Sequence, residues 1–141
     1  MPPPIFVDTA GWASFLVEYE PFHELARTVL RSVRRTGRPA VTTNYVLAEL
    51  GALLMSPLRT AHSVRMEFLD SIRRAPWIEV VYIDKGLDSR SWALMAHHKD
   101  KDFSLVDCSS FVLMKELGIS AALTTDHHFE QAGFVCLLKN L

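Results

Sequence analysis

Short apolar runs alternate along the chain with longer stretches in which apolar residues recur every three or four positions, and that rhythm predicts the elements. IFV at 5–7 reads as a first strand, with Asp8 at its carboxyl end. Over 21–35, Phe22, Leu25, Val29 and Val33 recur at helical spacing, and Gly37 and Pro39 stop that helix. AVT at 40–42 is a second strand, after which Thr43 or Asn44 caps a helix running to about Met55, ended by Pro57. Another helix covers 60–74, with Val64, Phe68 and Ile72 on one face. Pro76 breaks it, and the β-branched WIEVVYI at 77–83 is a third strand. Residues 84–98 are helical, and SLVDCSSFVLMKELG carries a further helix from Ser104 to Gly118. ISAALTT at 119–125 and FVCLL at 134–138 are the fourth and fifth strands.

Apolar strands alternating with helices imply a parallel sheet covered on both faces. The expected architecture is an α/β sandwich, a central parallel sheet of about five short strands flanked by helices. Ligands in such folds bind outside the carboxyl ends of the strands. Four acids belong to that edge in this topology. Asp8 ends the first strand, and Glu49 lies about two turns into the helix after the second. Asp107 is in the first turn of the helix from Ser104, and Asp126 ends the fourth strand.

Carboxylates gathered in one pocket raise one another's pKa, and a cation resolves the conflict. An all-oxygen donor set selects Mg²⁺ or Mn²⁺ over zinc. The chemistry such a site performs best is hydrolysis of a phosphodiester by metal-activated water. Glu49 sharpens the point, because no Lys or Arg occurs between Pro39 and Arg59 to pair with it in a helix expected to be largely buried. Each acid alone also has a structural use: Asp107 complements a helix dipole, and Asp126 before HHFE can cap a helix.

Composition bounds the rest. The chain has 141 residues, of which 49% are apolar and 22% charged, so one globular domain over 1–141 is expected. Its apolar runs fall short of a membrane span, and MPPPIFVDTA has no basic region ahead of an apolar one, so a cytoplasmic protein is expected, with no membrane partner. A net charge of −1 neither demands nor excludes nucleic acid. Cys108 and Cys136 do not make a disulfide scaffold or a zinc cluster. Ser109 and Ser110 beside Asp107 lack a nucleophile elbow, and no phosphate-binding glycine motif is present. His97, His98, His127 and His128 are adjacent pairs whose side chains diverge, and they read as loop surface. Asp100 and Asp102 read as solvated loop acids. Arg27, Arg31, Arg34, Arg35 and Arg38 form a stripe that is either a solvated helix face or a contact for RNA or a protein partner. Trp12, Phe15, Met55 and Leu58 are either core or an apolar docking surface.

FVDTAGW, TTNYVLAEL, DKDFSLVDCSSFVLMKELGI and ALTTDHHFEQAGF together resemble the four acidic blocks of PIN-domain nucleases, in particular VapC-type toxins of toxin–antitoxin pairs. The resemblance spans about 5–134, and its third and fourth blocks are the most specific. It implies a PIN-like fold and Mg²⁺- or Mn²⁺-dependent endoribonuclease activity. It implies Asp8 and Asp107 as principal metal ligands, with Glu49 and Asp126 completing the pocket. Thr9 and Thr125 fall where hydroxyl residues help position acids or waters. It further implies an RNA substrate, a homodimer and a small cognate antitoxin covering the active-site groove. Two other readings stand beside it: a PIN ribonuclease of RNA processing that has no antitoxin, and a catalytically silent α/β binding module whose acids are structural.

Overall fold

A computed structural model describes residues 2–139; the single domain expected over 1–141 extends past both ends of that range. Five strands form one parallel sheet in the order β3-β2-β1-β4-β5. They are β1 (Ile5–Val7), β2 (Ala40–Thr43), β3 (Ile78–Val81), β4 (Ala121–Leu123) and β5 (Val135–Cys136). Among the described residues seven helices connect them: α1 (Thr9–Leu16), α2 (His23–Thr36), α3 (Asn44–Met55), α4 (His62–Arg74), α5 (Lys85–His97), α6 (Leu105–Leu117) and α7 (His127–Gln131). The expected α/β sandwich is the observed one.

Strands β1 and β2 are buried along their whole length, which is why IFV and AVTT carry no polar alternation beyond two threonines. The chain runs outward from β1 to β2 to β3, then returns across the sheet to β4 and on to β5. Connections therefore leave β1 and β4 in opposite directions although the two strands are neighbours. That opens a crevice at their carboxyl ends. Right-handed crossovers send α1 to α4 to one face and α5 to α7 to the other.

Two helices went unpredicted. α1 (TAGWASFL) buries Thr9, Gly11, Trp12, Ala13 and Ser14, so it shows no apolar stripe to recognise. Its approach to the sheet needs a glycine: a Cβ on Gly11 would lie 2.1 Å from the Leu123 carbonyl oxygen. α7 is a single short turn that appeared beforehand only as one use for Asp126.

Other helices were placed correctly but turned. α2 buries His23, Ala26, Leu30 and Val33, whereas Leu25 is exposed and Phe22 and Val29 are half-buried. Buried His23 is held by a 2.8 Å contact from its Nδ1 to the Ser14 carbonyl oxygen. Along α4 only Ile72 is buried, and Val64 faces solvent. α3 buries Val46, Leu50 and Leu54, leaving Glu49 on its exposed face. An exposed acid needs no counter-charge, so the lack of a nearby Lys or Arg weighs less than the sequence suggested. Trp12 is core, its indole N–H donating to Thr42 Oγ1 at 3.1 Å, while Met55 is exposed and Phe15 and Leu58 are half-buried.

Candidate functional site

Asp8 leaves the carboxyl end of β1 and stands as the N-cap residue of α1, yet its side chain makes no cap bond to that helix. It is 4% exposed. Its Oδ2 instead accepts a 2.9 Å hydrogen bond from the Thr124 hydroxyl. Burial pushes the carboxyl up to about 7, against the pull of the Thr9 amide and the Thr124 hydroxyl; the negative charges of Asp107 and Glu49 push the same way as burial.

Asp107 is the N3 residue of α6 and closes a reciprocal cap. Its Oδ2 accepts from the Ser104 amide at 3.1 Å, and its own amide donates to Ser104 Oγ at 3.0 Å. This cap fixes the carboxyl at the end of the helix facing the sheet edge. Burial raises its pKa, opposed by the Ser104 amide and reinforced by the charge of Asp126; the imidazole of His128 pulls the other way.

Asp126 caps α7, its Oδ1 accepting from the His128 amide at 2.9 Å. Its own amide donates to Thr124 Oγ1 at 3.0 Å. One buried hydroxyl therefore ties the acid after β1 to the acid after β4. Glu49 approaches from α3 and accepts a 2.6 Å bond from the Thr9 hydroxyl. All four acids thus lie at the carboxyl edge of the sheet, two of them buried and two reaching water.

Thr9 makes the expected contact with an acid. Thr125 does not: its side chain is exposed, and the hydroxyl holding Asp8 and Asp126 belongs to Thr124. The loop-surface reading of the histidines is right about exposure and wrong about loops for His97 and His127, which end α5 and begin α7; His98 is half-buried against Phe103, and the reading fails for His128. Its Nδ1 lies 3.2 Å from Asp107 Oδ2 and 3.2 Å from Asp126 Oδ1. Ser104 was legible as the first residue of an S-x-x-D cap; Thr124 and His128 carried no signal of their own.

The donor chemistry fits a divalent cation. Among the described residues no Lys or Arg lies within 4.0 Å of these carboxylates, and the only basic groups near them are His127 and His128 on the Asp126 side. Two acids held above their ordinary range by burial and by neighbouring carboxylates, Asp107 and Glu49 for Asp8 and Asp126 for Asp107, are stabilised in ionised form by a cation. Asp100 and Asp102 are exposed, and Asp100 pairs with Lys101. The Ser109 and Ser110 hydroxyls both donate to the Val106 carbonyl, and burial pushes the Cys108 thiol up to about 11, so none of the three is a nucleophile. The arginine stripe lies elsewhere: Arg27, Arg31, Arg34 and Arg35 line a cleft of ≈ 480 Å³ with Trp77, over whose ring Arg34 sits at 5.3 Å.

The PIN domain profile matches residues 5–135, nearly the whole chain. The chain belongs to the PIN domain family. Among curated relatives, the 23S rRNA-specific endonuclease VapC20 of Mycobacterium tuberculosis is 32% identical over 133 residues, covering 93% of this chain and 95% of the relative, with the same figures in two strains. The crystal structure of Mycobacterium tuberculosis VapC20, described as a sarcin-ricin loop cleaving toxin, superposes with a TM-score of 0.81 at 29% identity, covering 93% of this chain and 96% of that one. FitAcB from Neisseria gonorrhoeae superposes with a TM-score of 0.65 over 94% of each chain; at 16% identity it shows a shared fold alone. No helix among the described residues is long and apolar enough to cross a membrane.

Proposed function

We propose that this PIN domain is a metal-dependent endoribonuclease and the toxin of a toxin–antitoxin pair. The observation that carries the reading is the set of acids at one sheet edge: Asp8 buried against the charges of Asp107 and Glu49, Asp107 buried against that of Asp126, with no lysine or arginine among the described residues pairing them. Similarity to VapC20 supports RNA as the substrate and a structured ribosomal RNA loop as the first one to try.

Asp8 and Asp107 are the principal ligands of Mg²⁺ or Mn²⁺, and Glu49 and Asp126 orient waters around it. A divalent ion bound there acidifies a water ligand and neutralises charge on a phosphoryl oxygen. The side chains supply the rest. Thr124 locks Asp8 and Asp126 together, Thr9 aims Glu49, and the Ser104 cap holds Asp107, so the carboxylates are set before substrate arrives. A single catalytic domain, a homodimer, a cytoplasmic location and a cognate antitoxin complete the proposal.

Cleavage is tested directly. The protein is incubated with intact ribosomes and Mg²⁺ or Mn²⁺, and primer extension maps new 5′ ends. Wild type should cut at a discrete site, whereas Asp107→Asn and chelator-treated wild type should not. Cutting that persists in both controls would refute the acid–metal reading.

A further inference from the structure

His128 occupies a position that a surface histidine does not need. Its side chain is 20% exposed, and its Nδ1 sits 3.2 Å from a carboxylate oxygen of Asp107 and 3.2 Å from one of Asp126. Phe103 holds the ring edge-on at 5.6 Å and is itself packed edge-on against Phe111 at 5.0 Å. The backbone adds a second restraint, because the His128 amide is bonded to the same Asp126 oxygen that faces the ring. Neighbouring His127 is 72% exposed, with its Nδ1 at 3.9 Å from Asp126. Of the two adjacent histidines, one is fixed and aimed between two acids of the pocket.

Building on the metal-dependent reading above, we propose that His128 is a metal ligand, adding an imidazole nitrogen beside Asp107 to the cation held by Asp8 and Asp107, and that this nitrogen makes Mn²⁺ the preferred ion over Mg²⁺. The contact that carries this is the 3.2 Å between His128 Nδ1 and Asp107 Oδ2, with a ligand oxygen of Asp126 also within 4.8 Å of the ring nitrogen. The 3.2 Å separations suit a hydrogen bond from an Nδ1–H. The separation from Asp107 also matches, to within a few tenths of an ångström, neighbouring ligands around an octahedral ion with bonds of about 2.1 Å. In the tautomer protonated at Nε2, the Nδ1 lone pair points at the space those two carboxylates share.

Selectivity follows from ligand type. Mg²⁺ is hard, favours oxygen and gives up its waters reluctantly. Imidazole suits first-row transition ions, and carboxylates suit Mn²⁺ as well as Mg²⁺, so a carboxylate-rich set with one nitrogen is met best by Mn²⁺. Zinc is disfavoured by the same count, since its protein sites are dominated by histidine and cysteine in a closed tetrahedron.

The test reads the bond itself. Pulsed electron paramagnetic resonance is recorded on the full chain loaded with Mn²⁺. Wild type should show ¹⁴N modulation that changes to the ¹⁵N pattern when histidine is labelled. His128→Gln should lose it and His127→Gln should keep it. Titration calorimetry gives the second readout: His128→Gln should weaken Mn²⁺ about tenfold, the lower end of what losing a supporting group at a metal costs, while Mg²⁺ changes by less than about twofold. His128→Asp, which restores an oxygen donor, should bind Mg²⁺ at least as well as wild type and lose the preference. Bound Mn²⁺ without histidine modulation, or an equal weakening of both ions in His128→Gln, would overturn the proposal while leaving the acid site intact. Absence of any Mn²⁺ binding would overturn the metal-dependent reading with it.

Discussion

Removing the buried charge of Asp8 should alter how stability depends on pH in a way that no surface acid could reproduce. Its carboxyl moves from an ordinary value of 3.8 when unfolded to about 7 in the metal-free fold, chiefly through burial. The folded state therefore holds a proton that the unfolded state has released throughout the window between those values. Stability must fall as pH rises across that window, and level off above about 7. Between pH 5 and pH 8 the loss from this one group is about 2.7 kcal/mol, or roughly 8 °C in Tm for a domain of this size. Asp8→Asn keeps an oxygen to accept from Thr124 and has nothing to ionise. Urea unfolding in EDTA at pH 5 and pH 8, on both proteins, isolates the effect, since other titrating groups largely cancel in the difference. The variant should be the more stable protein at pH 8 by a margin that shrinks toward pH 5. Saturating Mn²⁺ should reverse the wild-type trend, because metal competes with protons for the carboxylates. Identical pH slopes in wild type and Asp8→Asn would refute the burial argument.

Further outcomes test other parts of the pocket. With about 10 mM metal and a dissociation constant near 1 mM, wild type should gain about 1.4 kcal/mol in a thermal melt, and Asp107→Asn should gain almost nothing. Thr124→Val should lower RNA cleavage by roughly 10-fold or more by freeing Asp8 and Asp126, whereas Thr125→Val should leave the rate nearly unchanged. An equal effect of the two valines would show that the Thr124 hydroxyl is not the positioning group. Gly11→Ala should destabilise the fold by about 1–3 kcal/mol in urea, since its methyl meets the Leu123 carbonyl and α1 must move off β4.

Much of the frame was written locally. Three or four apolar residues in a row, a cap residue and a following Gly or Pro declare an element from within a few positions. Hence β1, β2, the α3 start at Thr43 or Asn44 and the α6 limits at Ser104 and Gly118 could all be read before any contact was known, and the structure makes Thr43 the cap. The same information placed Asp8 and Asp126 at strand ends and Asp107 in a first helical turn. α1 escaped because it is buried nearly all round, and a helix with no solvent face has no amphipathic period to detect.

What the chain alone determined was which acids end strands or open helices, because element limits follow from local periodicity and caps, whereas the strand order that sets β1 beside β4 came from the tertiary structure. What only the tertiary structure decided was which neighbours hold those acids, and how strongly. Thr124 and not Thr125 reaches Asp8 because β4 ends where it does and strand residues alternate sides. His128 becomes part of the pocket because α6 presents Asp107 to it from 21 positions away. The raised carboxyl of Asp8 comes from burial, which is a property of everything packed around it. Side-chain direction and desolvation depend on non-local contacts, and a local pattern encodes neither.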